Sequence, residues 1–298
     1  MMYHIPVLLN ECIAGLNIRP DGTYADVTFG SGQHSDAILA YLTSGKLIAF
    51  DRDKDAEKNA KNDPRLIFIR QDYRYLRNFL FYNGITKLDG LLADLGISSH
   101  QIDEPSRGFS TRFDGKLDMR MDQDNDTDAS QIINNYAPSE LTRIFRDFGE
   151  IEDPRRLVRE ITEARASSKI TTTEELKAIV LKCASRGKEN QFLARVYQAI
   201  RIEVNQELES LREMLLQACD LLNPGGRLVV ISYHSLEDRL VKNFIRTGNF
   251  DGIPVKDFFG RQITPMKAVN RKAIIPSMEE TESNPRSRSA KLRIAEKI

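Results

Sequence analysis

Tyr24-Ala-Asp-Val-Thr-Phe-Gly-Ser-Gly-Gln-His34 decides the fold. It begins as an alternating, β-branched strand and breaks into a glycine turn that feeds a helix. A strand entering a Gly30-x-Gly32 turn brings backbone N–H groups close to whatever lies above the sheet. It also leaves Asp26, Gln33 and His34 at the strand's carboxyl end, the edge where open α/β sheets bind ligands. Two glycines alone fit a tight strand-to-helix turn with no ligand equally well.

Outward from this turn the chain alternates strand and helix. Strand one is 23–28, followed by an apolar-faced helix over 34–43. Strand two is Lys46–Asp51, with a charged helix over 53–61. Strand three is Leu66–Arg70, followed by a Leu- and Phe-rich helix. Strand four is Leu88–Leu95. Repeated β-α-β-α with short connections predicts a parallel sheet with helices on both faces. Upstream, His4–Leu16 reads as a short segment leading into a helix.

The period changes after strand four. Residues 96–128 are loop-like, and helical patterns without strands follow. One has Ser139 as its N-cap, another starts at Pro154 and a third follows Thr173. We read 104–205 as a mostly helical insertion between core segments 1–103 and 206–298. A long helix through Val196, Ile200, Val204, Leu208, Leu211 and Leu215 leads back to the sheet. Asn223-Pro-Gly-Gly226 is a turn, Arg227–Ser232 is strand five, and 263–275 and 290–296 alternate as two final strands.

Composition is that of an ordinary globular chain: 298 residues with 43 basic and 43 acidic side chains. No whole-chain field marks a polyanion partner, but residues 242–298 carry 12 Lys and Arg against 6 Asp and Glu. That local excess suits a polyanion-facing patch or a solvated surface. Cys12, Cys183 and Cys219 lie far apart and make neither a disulfide framework nor a metal cluster, so no metal is expected. With no signal-peptide pattern and no membrane-length apolar run, a cytoplasmic protein is expected.

Strand two ends in Asp51, where an acid can accept both hydroxyls of a ribose. Alone, it is as well explained as a cap for the next helix. The dinucleotide fingerprint is incomplete, because Ser35 stands where the third glycine belongs. S-adenosylmethionine has no phosphate to cradle, and Asp26, Asp51, Asp72 and Asp94 at four successive strand ends suit its cationic sulfur. Asp94 is also the best-placed carboxylate to orient an exocyclic amine for methyl transfer; its bland role is a turn acceptor. Tyr73 fits either an adenine ring or a half-buried core position. His234 fits either a substrate contact or a backbone bond. Arg107–Ser110 and Leu117–Asp122 read as a loop over the site or as packing that anchors the insertion.

Taken together, these segments resemble one family. His4-x-Pro-Val-Leu-Leu, Asp26-x-Thr-Phe-Gly-x-Gly-x-His-Ser35 and Asp51-Arg-Asp match its N-terminal half. Asp89-Gly-x-Leu-x-Asp-Leu-Gly-x-Ser-Ser-x-Gln101, Arg107-Gly-Phe-Ser and Leu117-Asp-Met-Arg-Met-Asp122 match its centre. Gln198–Leu208, Pro224–Leu228, Ser232-x-His-Ser-Leu-Glu-Asp-Arg239 and Asn284–Arg293 complete it. The chain is identified by these motifs as similar to the MraW (RsmH) family of bacterial methyltransferases acting on N4 of a cytidine in small-subunit ribosomal RNA.

The resemblance implies a class I S-adenosylmethionine-dependent, Rossmann-like α/β fold with a helical inserted domain. It also implies a target in the ribosomal decoding region, met as free RNA or within the ribosomal particle. Family cofactor contacts fall on Gly32, Gln33, His34, Asp51, Tyr73, Asp94 and Gln101, with Gly30 completing the turn. Asp94, helped by Ser98 or His234, is the expected catalytic group. The family more often has Gly at position 33, and Phe is common at position 73. The competing readings are a nicotinamide-dependent oxidoreductase using the same turn and a catalytically silent RNA-binding assembly factor. The sequence sets no oligomeric state and is compatible with a homodimer.

Overall fold

A computed structural model describes residues 6–298, so His4 and Ile5 of the first motif lie outside the described residues. The chain divides into two compact units, Met1–Gly96 with Leu208–Ile298, and Ile97–Glu207. The first unit opens with α1 (Leu9–Leu16), β1 (Thr23–Asp26), α2 (Gln33–Tyr41), β2 (Lys46–Asp51), β3 (Leu66–Arg70), α3 (Leu76–Tyr82) and β4 (Leu88–Asp94). The second unit carries α4 (Ser99–Asp103), α5 (Ala129–Asn135), α6 (Pro138–Asp147), α7 (Arg155–Ser167), α8 (Thr173–Leu181) and α9 (Glu189–Asn205). The chain returns through α10 (Glu207–Leu221), β5 (Leu222–Ser232) and α11 (Ser235–Thr247). A short hairpin, β6 (Val255–Lys256) with β7 (Gln262–Ile263), follows. The chain ends with β8 (Met266–Ala268), α12 (Met278–Ser283) and β9 (Lys291–Lys297).

Seven strands form one sheet in the order β3-β2-β1-β4-β5-β9-β8. Strands β1 to β5 are parallel, and β9 runs antiparallel to both β5 and β8. The sheet is Rossmann-like. Its strand order reverses between β1 and β4, so the connections leaving those two strands diverge and open a crevice at their carboxyl ends.

Side-chain alternation explains why both faces are covered. Ala25, Ile48, Phe50, Leu91, Ala93, Leu228 and Val230 enter one core with Leu76 and Leu80 of α3, Met214 and Leu215 of α10 and Phe244 of α11. Their neighbours Tyr24, Leu47, Leu92, Val229 and Ile231 point the other way, into a core with Cys12 and Leu16 of α1 and Ile38 of α2. Buried on both faces, these strands read as near-continuous apolar runs.

In the second unit, Ile132, Ile144, Phe145, Leu157, Ile161, Leu176, Val180, Val196 and Ile200 form a helical core. Leu117, Met119 and Met121 are part of it. Arg107 donates to the carbonyls of Arg120 and Met121, and Asn205 accepts from the Met121 N–H and donates to the Met119 carbonyl. The motifs Arg107–Ser110 and Leu117–Asp122 therefore serve as packing within this unit. No helix among the described residues is long and apolar enough to cross a membrane.

Several elements differ from the sequence reading. The charged stretch 53–61 holds only a short 3-10 turn, Ala56–Asn59. The long helix through Val196 and Leu215 is two helices, because Gln206 takes a left-handed backbone (φ 49°) between them. Apolar spacing stays in phase across that break, so periodicity does not register it. Ser139 lies inside the first turn of α6; Ala137 occupies the cap position and Pro138 takes the first helical one. The stretch 263–275 is interrupted at Pro265, which cannot donate to a ladder. What remains is Gln262–Ile263 in the hairpin and Met266–Ala268 beside β9. Strand β5 runs through Asn223–Gly226, yet its register against β4 jumps from Leu88↔Leu222 to Gly90↔Arg227. The turn signal there becomes a bulge.

Candidate active site

The turn after β1 is built from two left-handed glycines, Gly30 (φ 52°) and Gly32 (φ 79°). Gly32 donates to the Phe29 carbonyl at 2.7 Å and caps α2. A Cβ on Gly32 would fall 2.7 Å from Cζ of Phe29, whereas one on Gly30 would meet nothing nearer than 3.9 Å. The turn is therefore tight below and open above.

The same turn is tied to the end of β2. The Gly30 N–H donates to Oδ2 of Asp51 at 2.7 Å, and the Asp53 N–H donates to Oδ1 at 2.8 Å. Each carboxylate oxygen thus has one backbone donor and keeps further acceptor capacity. Burial pushes the Asp51 carboxyl up to about 6, against the lowering effect of those two N–H groups.

At the end of β4, the Asp94 N–H donates to Oγ1 of Thr28 at 2.6 Å. The Tyr233 hydroxyl donates to Oδ1 of Asp94 at 2.8 Å. Oδ2 lies 3.8 Å from Nδ1 of His34, whose Nε2–H donates to the Val7 carbonyl at 3.2 Å. Burial also raises the Asp94 carboxyl to about 6. His34 and the Tyr233 hydroxyl pull it back, while Asp26 and Glu237 add repulsion. With Oδ1 held and no hydrogen-bond donor to Oδ2 among the described residues, this carboxylate is suited to accept an N–H from outside.

The other two strand-end acids also have partners within the fold. Asp26 is buried and accepts from Oγ of Ser35 at 2.7 Å and the Thr28 N–H at 3.2 Å. Asp72 accepts from the Arg74 N–H at 2.9 Å, from Arg52 at 2.9 Å and from Oγ of Ser210 at 3.1 Å. Asp26 is closed off from solvent and Asp72 is paired with Arg52, whereas Asp51 and Asp94 are partly exposed.

The remaining predicted residues separate by role. Gln33 is the first residue of α2 and is half-buried. Tyr73 starts a short 3-10 turn and packs, partly buried, against the core beneath β1 to β5. His234 is the N-cap of α11, with Nε2 3.2 Å from Oε1 of Glu237. From that motif it is Tyr233, not singled out in the sequence, that reaches Asp94. Ser98 and Gln101 belong to the second unit. There they form a reciprocal capping box: Ser98 Oγ accepts the Gln101 N–H at 3.2 Å and Gln101 Oε1 accepts the Ser98 N–H at 3.0 Å.

The model of the MraW methylase family matches residues 1–298. The ribosomal RNA small subunit methyltransferase H of Bacteroides fragilis (strain YCH46) is 53% identical over 296 residues, 99% of this chain and 97% of that protein. The protein of the same name from Flavobacterium johnsoniae is 53% identical over 299 residues, 100% of this chain and 99% of its own. That of Amoebophilus asiaticus is 54% identical over 297 residues, 99% and 96% of the two chains. A family match over the whole sequence, with relatives about half identical from end to end, leaves one assignment: the chain belongs to the MraW methylase family.

Proposed function

We propose that this protein is an S-adenosylmethionine-dependent methyltransferase acting on N4 of a cytidine in the decoding region of small-subunit ribosomal RNA. Support for the substrate class comes from the relatives' names, and support for the chemistry comes from Asp94. Its Oδ1 is held by Tyr233, and its Oδ2 accepts from no donor among the described residues. That half-engaged carboxylate at the crevice is the observation that carries the proposal.

The residues present fit the cofactor. The turn at Gly30 is open above, and Asp51 has spare acceptor capacity for a ribose diol at the end of β2. By the family resemblance, Gly32, Gln33, His34, Tyr73 and Gln101 are assigned to the same group. When bound, S-adenosylmethionine supplies an electrophilic methyl group on a sulfonium. Ser35 spends its hydroxyl on Asp26 at the position where a dinucleotide fold needs glycine. That disfavours a nicotinamide dinucleotide on this turn.

Asp94 then does two things. Oδ2 accepts an N–H of the exocyclic amine and fixes its approach, which supplies rate through orientation. The same oxygen is a stronger base than an ordinary carboxylate, since its carboxyl sits at about 6, and it can take the proton the amine must lose. The tyrosine hydroxyl holds the other oxygen in place. A paired or stacked cytosine cannot present N4 to this group, so the base must be splayed out of its helix. Ser98 and His234 keep the supporting parts that the family resemblance gives them, and a cytoplasmic location follows from the substrate.

RNA also brings negative charge that cations must meet. The unit 97–207 has 17 Lys and Arg against 20 Asp and Glu, whereas 242–298 has 12 against 6. Backbone neutralisation therefore falls mainly to the C-terminal segment, while the helical unit is assigned recognition of shape.

The test is thermal unfolding with S-adenosylhomocysteine or NAD added. Stabilisation by the former alone is expected. Stabilisation by NAD alone would transfer the chain to the oxidoreductase reading, and binding without methylation of small-subunit particles would leave a silent assembly factor.

A further inference from the structure

The hairpin β6–β7 has no part in the proposed chemistry, yet it displays a concentration of apolar surface. Phe258 is 98% exposed and Phe259 79% exposed, beside Ile253, Val255 and Ile263, all more than half exposed. Val255 and Ile263 are paired across the two strands, and Lys256 pairs with Gln262.

The display is built rather than loose. Oδ1 of Asp257 accepts the N–H groups of both Phe259 (2.9 Å) and Arg261 (2.8 Å). The Asp257 N–H donates to the Arg261 carbonyl at 2.8 Å, and the Gly260 N–H donates to the Asp257 carbonyl at 3.0 Å, with Gly260 left-handed at φ 78°. The two rings stand edge to face, 5.7 Å apart, and the Arg261 guanidinium lies 5.9 Å from the Phe259 ring centre. A side-chain bond from Gln262 to the Arg246 carbonyl and one from Thr264 to the Ile245 carbonyl fasten the hairpin to the end of α11.

Charge identifies the occupant. Residues 242–272 contain seven Lys and Arg against two Asp and Glu. Lys256, Arg261, Lys267, Arg271 and Lys272 are exposed. An apolar protein partner would need no such excess, and a second copy meeting this patch with its own would be repelled. Exposed aromatic rings interleaved with cations suit unpaired nucleobases, which stack on the rings while their phosphates meet the basic groups.

We propose that the Asp257–Arg261 loop is a stacking platform for a single-stranded RNA segment, distinct from the nucleotide that is methylated. This rests on the assignment of an RNA substrate. The 13 residues of α11 separate the hairpin from the crevice end of β5, about 20 Å at 1.5 Å per residue. The platform therefore anchors substrate and leaves the reacting atoms untouched.

The test uses the full chain and a fluorescent uridine 12-mer as probe, with small-subunit particles as the methylation substrate. Phe258→Leu combined with Phe259→Leu keeps the apolar character and removes the rings; Phe258→Trp keeps a ring. The leucine variant is expected to bind the 12-mer at least tenfold more weakly, since one base–ring stack is worth about that factor or more. Its KM for particles should rise with kcat unchanged, while Phe258→Trp should match the parent. S-adenosylhomocysteine affinity is the control for the methyltransferase reading: its absence in the parent sinks that reading, while the 12-mer measurement still judges the platform. Equal 12-mer binding by parent and leucine variant would overturn the proposal. So would parent dimers in sedimentation that persist with leucine and are lost with Phe258→Asp.

Discussion

The Tyr233 hydroxyl donates to Oδ1 of Asp94 across 2.8 Å, joining the carboxyl ends of the neighbouring parallel strands β4 and β5. This bond selects one orientation for the carboxylate and leaves Oδ2 to meet a substrate. It also counteracts part of the burial that raises the Asp94 carboxyl.

Removing that hydroxyl should slow the reaction and shift its pH dependence in a defined direction. The folded carboxyl sits at about 6, and the active form is ionised, so activity is lost as pH falls through that value. Tyr233→Phe takes away a lowering influence, so the acid limb of the kcat profile should move to higher pH. At pH 8 the loss should be about tenfold, the scale of one charge-assisted hydrogen bond. An unmoved limb would separate Tyr233 from Asp94.

Stability should respond to the same burial with the opposite sense. The Asp94 carboxyl is raised from an ordinary 3.8 to about 6 on folding, so its ionised form opposes the fold above pH 6 and the cost vanishes towards pH 4. Asp94→Asn should therefore be the more stable protein at pH 8 by about 2 kcal/mol. The difference should shrink as pH falls from 6 to 4. Denaturant melts at pH 8 and pH 4.5 check the sign.

Gly32→Ala forces a side chain into a left-handed backbone at φ 79° and against the Phe29 ring at 2.7 Å. The conformation alone costs about 1–2 kcal/mol. Melting should show at least that loss, and S-adenosylhomocysteine affinity should fall with it because the turn cannot keep its shape. An equally stable alanine variant would mean that the turn tolerates a reshaped backbone.

Asp51→Asn replaces an acceptor that faces two backbone donors with a group that has only one accepting atom. The dissociation constant for S-adenosylhomocysteine, read by calorimetry, should rise at least tenfold. Turnover at saturating cofactor should fall less. A larger effect on turnover than on affinity would place Asp51 nearer the reacting atoms than the ribose.

Much of this site is legible in the sequence. Gly30-x-Gly32 after a short alternating strand and Asp51 at the next strand end lie 21 residues apart in the chain, and their hydrogen bond makes one unit of them. Asp94 was legible as the acid ending the strand that crosses back beside β1. The internal partners of Asp26 and Asp72 were not, because Ser35 and Ser210 contact them through the fold and no local spacing announces it. Tyr233 was hidden for a similar reason. Its partner lies 139 residues away, and a histidine next to it drew the chemical reading. The break at Gln206 left the apolar spacing intact, and the two-residue strands of the β6–β7 hairpin are too short to make a period.

The central claim is that Asp94 presents an exocyclic amine for methylation, and one measurement addresses it most directly. Small-subunit particles lacking the modification are incubated with deuteromethyl S-adenosylmethionine and either the parent or Asp94→Asn, and the digested RNA is analysed by mass spectrometry. The parent should place the label on N4 of a cytidine, and the variant should place at least a hundredfold less there. Label on a ring carbon or a ribose oxygen, or an undiminished yield from the variant, would contradict the account.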